Sequence, residues 1–300
     1  MILVFILYAL FGLTFTLGKI TLFYAKPFFI VGLRMLIGSV GLLGYMLLSR
    51  LNCYPAYKDW YYYLQIALFG IFIPYTLRAW GLQYISSTKA AFLFTLMPFF
   101  TALFAYFLNK ERLSYQKVMG LLLGFTGMIP TLFTGSSLEN LQGGIAFFSL
   151  PELATIGSVA SFGYNLIATQ KLVKHRGCHP LVANGISMLL GGGLSFGLSL
   201  AVEPQPLFGN VSTFFLLVGA QILISNFICL NLQAYLLTYY SPTFMAFAGF
   251  LSPLCAAFYG YMLLGEHISW NYIISFCMVV IGLSLYYYDD FAKKRQMIQV

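Results

Sequence analysis

Two arginines stand where a charge is costly. Arg34 lies between Val31-Gly32-Leu33 and Met35-Leu36-Ile37, and Arg78 follows Pro74-Tyr75 by one helical turn, with Trp80 and Tyr84 close behind. A guanidinium inside an apolar run needs either a polar cavity or an interior partner, which makes each a candidate functional residue. Its planar fork can take a carboxylate or phosphate through two parallel hydrogen bonds, and rings such as Tyr75, Trp80 and Tyr84 can hold a flat group such as a purine. The structural alternative pairs Arg34 or Arg78 with Glu152, or sends either head to lipid headgroups.

Amides interrupt the later apolar runs in the same way. Asn165, Gln170, Asn184, Gln221, Asn226, Asn231 and Gln233 each need a partner in hydrocarbon, whether substrate or neighbouring helix. Asn226 and Gln233 are seven apart, so on a regular helix they share a face and both could line a path. Pro74, Pro98 and Pro253 lack the amide hydrogen and weaken a helix locally, as a gate or a fixed kink. Gly32, Gly38, Gly41 and Gly44, and Gly191-Gly192-Gly193 with Gly197, suit close helix contact. Glu152, after Pro151, reads most simply as a first-turn acidic cap. Lys174-His175-Arg176-Gly177-Cys178-His179 supplies two His and one Cys, too little for a four-ligand metal site; its basic residues suit anionic lipid. No Ser-His-acid set or carboxylate pair can be assembled, so no catalytic residue, metal or cofactor is expected.

The elements that must position these residues follow from composition. The 300 residues are 60% hydrophobic and only 8% charged, against roughly 25% charged in soluble domains. So few charges cannot solvate one soluble body, whereas lipid can cover an apolar exterior. The net charge of +8 comes from Lys and Arg in short clusters between apolar runs, not along one soluble face, so nucleic acid is not the expected partner. The five cysteines imply no disulfide framework. A crossing helix needs about 20 mostly apolar residues. Charge clusters and Pro/Gly breaks place helices near 2–22, 28–49, 62–84, 88–108, 116–134, 152–173, 181–201, 212–237, 243–264 and 271–288, the first retained rather than cleaved. The expected fold is therefore an all-α polytopic membrane protein with ten transmembrane helices. With the N-terminus inside, eleven of the sixteen basic residues fall on inside loops and tail, which favours both termini in the cytoplasm. Lys19 and Lys26, near an outer end, could be snorkelling anchors.

A repeat runs through the chain. Tyr84/Tyr239, Pro98/Pro253, Glu111/Glu266, Ser114/Ser269 and Gly127/Gly282 match at a separation of 155 residues, and Gln233 stands opposite Arg78 in that register; Pro27/Pro180 and Met35/Met188 match at 153. Five crossings per copy is odd, so the second copy enters with opposite orientation, a basis for alternating access around a site between the copies. The expected division is 1–135 first repeat, 136–150 linker, 151–290 second repeat and 291–300 basic cytoplasmic tail.

On these residues the sequence resembles the ten-helix EamA-type carriers of the drug/metabolite transporter superfamily. The marks are Phe11-Gly12 and Lys19 in the leading helix, Pro27 followed by Arg34, and Ala90 to Glu111 containing Leu96-Met97-Pro98, echoed by Leu251-Ser252-Pro253 through Glu266. Where the family often has Trp beside Gly in its first helix, this chain has Phe11-Gly12, and the second half reads Phe162-Gly163-Tyr164. The resemblance implies two inverted five-helix repeats, cytoplasmic termini in a cell inner membrane, and export or exchange of a small organic metabolite. The chain is similar also to the branch from intracellular bacteria that exchanges S-adenosylmethionine for S-adenosylhomocysteine. Amino-acid or drug export is the alternative within the family; a receptor or intramembrane enzyme is the alternative outside it. The expected partners are a small-molecule metabolite and membrane lipid. The expected substrate-binding residues are Arg34, Arg78, Tyr75, Trp80, Tyr84, Asn165, Asn184, Asn226 and Gln233, with Glu152 as possible charge partner.

Overall fold

The computed structural model describes residues 2–49, 57–109, 115–127, 129–132, 149–267, 269–278, 280–282 and 284–285. Glu111, most of the 136–150 linker and the 291–300 tail lie outside them. The described chain is an antiparallel helical bundle: α1 Ile2–Thr21, α2 Pro27–Leu48, α3 60–81, α4 Ser87–Leu108, α5 Tyr115–Gly127, α6 Leu150–Gln170, α7 Pro180–Val202, α8 Val211–Tyr239, α9 Pro242–Leu264 and α10 Trp270–Gly282. Among the described residues, α1, α2, α4, α7, α8 and α9 are long and apolar enough to cross a membrane. This is an all-α, multi-pass membrane protein. Helix α6 is as long as α1 but spends its inward face on Thr155, Ser158, Ser161, Asn165 and Thr169, all buried, so its composition is less apolar for a reason of packing.

Helix starts are set by local chemistry. Ser86 caps α4, accepting from the Lys89 N–H at 3.1 Å, and Ser241 caps α9, accepting from the Phe244 N–H at 3.2 Å. Pro27, Pro180 and Pro242 occupy first positions, where a missing N–H costs nothing. Helix α9 ends on Gly265 at φ 64°, the left-handed residue that closes a helix.

Four interruptions of regular helix matter for the interior, and they fall in pairs 155 residues apart. Helix α3 widens into a π-helical stretch at Ala67–Phe72, and α8 does so at Ile222–Cys229. Helix α4 tightens to a 3₁₀ turn at Phe94–Leu96, just before Pro98, and α9 breaks between Ala248 and Leu251, just before Pro253. In α3 the widening precedes Pro74, whose ring crowds the carbonyl one turn earlier. In α8 no proline is present; the Asn231 amide instead donates to the Asn226 and Phe227 carbonyls at 3.1 and 2.9 Å.

The halves of the chain interleave. Helix α2 packs along α7, α1 along α9, and α6 against α3 and α4. Gly12 permits the α1–α9 approach: a β-carbon there would stand 2.8 Å from both the Cys255 β-carbon and the Ser252 carbonyl. At Gly32 it would meet the Phe196 backbone at 2.6 Å. Of the glycines singled out in sequence, Gly38, Gly41, Gly191 and Gly192 are as tightly packed, whereas Gly44, Gly193 and Gly197 face open space.

Candidate functional site

One end of the bundle is closed by charged groups that find partners in distant segments. Lys19 does not snorkel; its ammonium donates to the carbonyls of Leu82, Gln83 and Ile85, capping the end of α3. The reason is geometric, since unsatisfied C-terminal carbonyls lie within reach of the Lys19 stem. Lys26 is exposed and rests 5.7 Å from the Phe208 ring centroid. Glu152 accepts from the Ser149 N–H at 2.8 Å, as an N-terminal acid should, but its charge partner is neither Arg34 nor Arg78: its other oxygen is 2.5 Å from the Lys89 ammonium, both side chains buried. Glu203 accepts from the first N–H groups of α2, those of Phe28 and Phe29, at 3.1 and 2.8 Å. Glu266 accepts from the N–H groups of Ser87 and Thr88 at 2.7 and 2.9 Å and from both hydroxyls. Beside this girdle an open vestibule is lined by Lys26, Trp80, Gln83, Tyr84 and Glu203. Trp80 and Tyr84, whose rings lie 5.2 Å apart, therefore belong to the mouth, not to the interior around Arg78.

The interior holds a narrow cavity on which α1, α3, α4, α6, α8 and α9 converge. Its walls are Phe11 and Phe162, Arg78 and Gln233, Phe94 and Gly249, Met97 and Ser252, completed by Tyr8 and Phe15 from α1. The last three of these pairs are each 155 residues apart, and Phe11 and Phe162 occupy the matching Phe-Gly dipeptides of the two halves. The Tyr8 hydroxyl donates to the Met245 carbonyl, and the Ser252 hydroxyl donates to the Tyr8 carbonyl at 2.9 Å, closing the cavity between α1 and α9.

Arg78 is only 7% exposed, and its guanidinium carbon lies 4.7, 4.9 and 5.9 Å from the ring centroids of Tyr75, Phe15 and Phe94. Arg34 also lies against the Tyr75 ring, 5.0 Å from its centroid, in a second small void with Arg78, Ile30, Val31 and Gln221. Its Nη1 donates to the Gln221 Oε1 at 2.6 Å, while its Nε and the Tyr75 hydroxyl are buried without a partner. Two cations thus share one tyrosine ring, and among the described residues neither has a carboxylate beside it. Buried cations without a counter-charge are candidates for contact with an anionic group.

The remaining amides make contacts within and between helices. Asn165 presses on Gly70, at the widened turn of α3, and accepts from the Thr169 hydroxyl at 3.1 Å. Asn184 donates to the Asn231 Oδ1 at 2.9 Å, joining α7 to α8. Asn226 donates to the Arg34 carbonyl at 3.1 Å and faces Gly38 rather than the cavity. It parts company with Gln233 because the widened turn between them adds to the residues per turn, and one residue rotates the face by about 100°. Pro74 offers its carbonyl to the Ser158 hydroxyl at 2.7 Å. The sequence reading missed Tyr8, Phe15, Phe94, Met97 and Ser252. The 155-residue register that joined Arg78 to Gln233 also joins Phe94 to Gly249 and Met97 to Ser252, and was the signal available for them.

A helical membrane bundle with a cavity built from matched positions in its two halves is the architecture of a transporter. The chain belongs to the EamA-like transporter family, whose model matches residues 1–133 and 149–288; it is a secondary transporter of small polar metabolites, not an enzyme. It is 30% identical over 284 residues to an S-adenosylmethionine/S-adenosylhomocysteine transporter of Chlamydia muridarum, covering 93% of this chain and 88% of the relative. The protein of the same description from Chlamydia trachomatis serovar L2 is 31% identical over 284 residues, covering 93% and 86%. An uncharacterized transporter of Bacillus subtilis, YoaV, is 22% identical over 274 residues, covering 91% of each. A solved structure titled "Crystal structure of protein" shares the fold, with a TM-score of 0.69 at 19% identity over 95% of this chain and 94% of that one.

Proposed function

We propose that this chain exchanges S-adenosylmethionine for S-adenosylhomocysteine across a cell inner membrane by alternating access. The observation that carries the mechanism is the cavity itself: six of its ten lining residues form three pairs 155 residues apart, and Phe11 and Phe162 add the Phe-Gly dipeptides of the two halves. A cavity so lined lies on the axis relating two inverted five-helix repeats, residues 1–135 and 151–290, where rocking of one repeat against the other exposes it to each side in turn. The paired widened turns of α3 and α8, and the paired breaks of α4 and α9, support the same reading, because irregular helix is the part of a bundle that bends at low cost. In this arrangement all ten helices cross, both termini are cytoplasmic, and the vestibule of Trp80 and Tyr84 is the outer mouth.

The substrate assignment is supported by the Chlamydia relatives and by the chemistry of the walls. Arg78 supplies two parallel donors for an α-carboxylate, Gln233 and Ser252 supply acceptors for an ammonium, and Phe11 and Phe162 supply faces for a purine. The cavity is narrow in this conformation, so binding requires α1 and α9 to part at the Tyr8 contacts.

Proteoliposomes decide between these claims. Labelled S-adenosylmethionine should enter vesicles holding S-adenosylhomocysteine faster than empty ones, with no dependence on an imposed proton gradient. Uptake driven by the gradient alone, or uptake of ordinary amino acids in place of adenosyl compounds, would reject the assignment. Reporter fusions after Tyr54, Gln116 and Arg176 should read cytoplasm, and those near Tyr24, Asn140 and Pro204 the outer side; a reversed pattern would overturn the orientation.

A further inference from the structure

The charge inventory of the central cavity is one-sided. Among the described residues Arg78 is its sole ionic wall residue, and no carboxylate lines it. Arg78 itself is held by ring faces: Tyr75 one turn earlier on its own helix, Phe15 from α1 and Phe94 from α4. Phe15 and Phe94 are edge to face with centroids 5.0 Å apart, so they make two adjoining walls of a small aromatic enclosure. Several ring faces around one cation are the arrangement that recognises onium groups. A guanidinium there engages none of its five N–H donors in a charge-assisted hydrogen bond. A carboxylate reaching the cavity offers those donors a stronger interaction than the rings do.

We propose that Phe15, Tyr75 and Phe94 form a cage for a sulfonium or quaternary ammonium group of the substrate, and that Arg78 fills this cage only until the substrate's carboxylate draws its guanidinium out. The inference rests on the transport reading and adds to it the part of the site that reads the cation. A primary ammonium is strongly hydrated and needs acceptors, which Gln233, Ser252 and the Tyr8 hydroxyl provide in the same cavity. A sulfonium has no N–H to donate, so ring faces are its one favourable surrounding in a space without acids. A substrate carrying both carboxylate and sulfonium therefore satisfies both halves of the rearrangement. Its thioether counterpart satisfies only the first.

Two experiments on purified full-length protein in detergent test this. In the first, thermal stability without substrate is compared in tetramethylammonium chloride and sodium chloride. Arg78→Gln empties the cage, so this variant should gain stability in tetramethylammonium; the wild type, with its cage filled, should not; and adding Phe15→Leu to Arg78→Gln should abolish the gain. Absence of any gain in Arg78→Gln, or an equal gain in the wild type, overturns the cage. In the second, Phe94→Leu should weaken S-adenosylmethionine roughly three- to thirtyfold while changing S-adenosylhomocysteine less than about twofold; equal losses would make Phe94 a packing residue and sink the proposal. If Arg78→Gln does not fold, the second experiment decides, because it leaves Arg78 in place. If the wild type binds neither adenosyl compound, the substrate assignment fails alone, and the tetramethylammonium comparison still decides the cage.

Discussion

The charges at the vestibule end, all buried but the half-buried Glu266, and the buried charges at the centre are differently treated. Lys89 meets Glu152, Lys19 meets the carbonyls ending α3, and Glu203 and Glu266 meet the amides opening α2 and α4. Each of these long-range contacts ties segments distant in sequence, and each group is satisfied by the protein alone. At the centre Arg34 has one amide and Arg78 has aromatic faces, with no acid beside either among the described residues. A buried ion that the fold neutralises holds helices together; one left without a counter-charge keeps its interaction energy for something that arrives. On the proposed reading, this difference separates scaffold from site.

The comparison predicts that the two regions fail differently when mutated. The largest effect should follow Glu152→Ala, which strands the Lys89 ammonium in the interior and should destabilise the protein by about 3–5 kcal/mol. Thermal unfolding in detergent measures this, and Lys89→Met in the same chain should restore most of the loss. If the single and double variants are equally unstable, the pair is not what holds α4 to α6.

Arg78→Ala should do the opposite, leaving unfolding nearly unchanged while weakening substrate binding roughly ten- to hundredfold, the value of about 1.5–3 kcal/mol for a charge-assisted contact. Arg78→Lys should lose less, since it keeps the charge but not the planar fork. Arg34→Ala should have a similar or smaller effect. Poor assembly of the arginine variants with unaltered affinity in the folded fraction would move both arginines into the scaffold.

Intermediate in size, Glu266→Ala removes the acid that caps α4 and should cost about 1–2 kcal/mol of stability, with binding affinity preserved. The smallest effect belongs to Gln233→Ala, a neutral partner in the cavity, expected to weaken binding by about two- to tenfold, or about 0.5–1.5 kcal/mol, with no change in unfolding temperature. A larger loss at Gln233 than at Arg78 would invert the assignment of roles within the cavity.

Much of this was legible in the residues alone because hydrocarbon is an unforgiving solvent. Apolar runs broken by Ser86-Ser87 and Ser241-Pro242 located helix starts, since caps and first-position prolines act within four residues of chain. The Arg78/Gln233 and Pro98/Pro253 matches were visible because Arg, Gln and Pro are rare enough in such runs for a coincidence of register to carry information. The aromatic walls were not: with 30 Phe and 22 Tyr in the chain, no single ring announces that it faces a cavity rather than lipid. Tertiary structure also decided the fate of the charges, because the groups that satisfy Lys19, Glu203 and Glu266 come from 63 to 179 residues away and local spacing says nothing of them. It decided between Asn226 and Gln233 as well. A seven-residue spacing defines one face only while the helix stays regular, and the widened turn at Ile222–Cys229 makes it two.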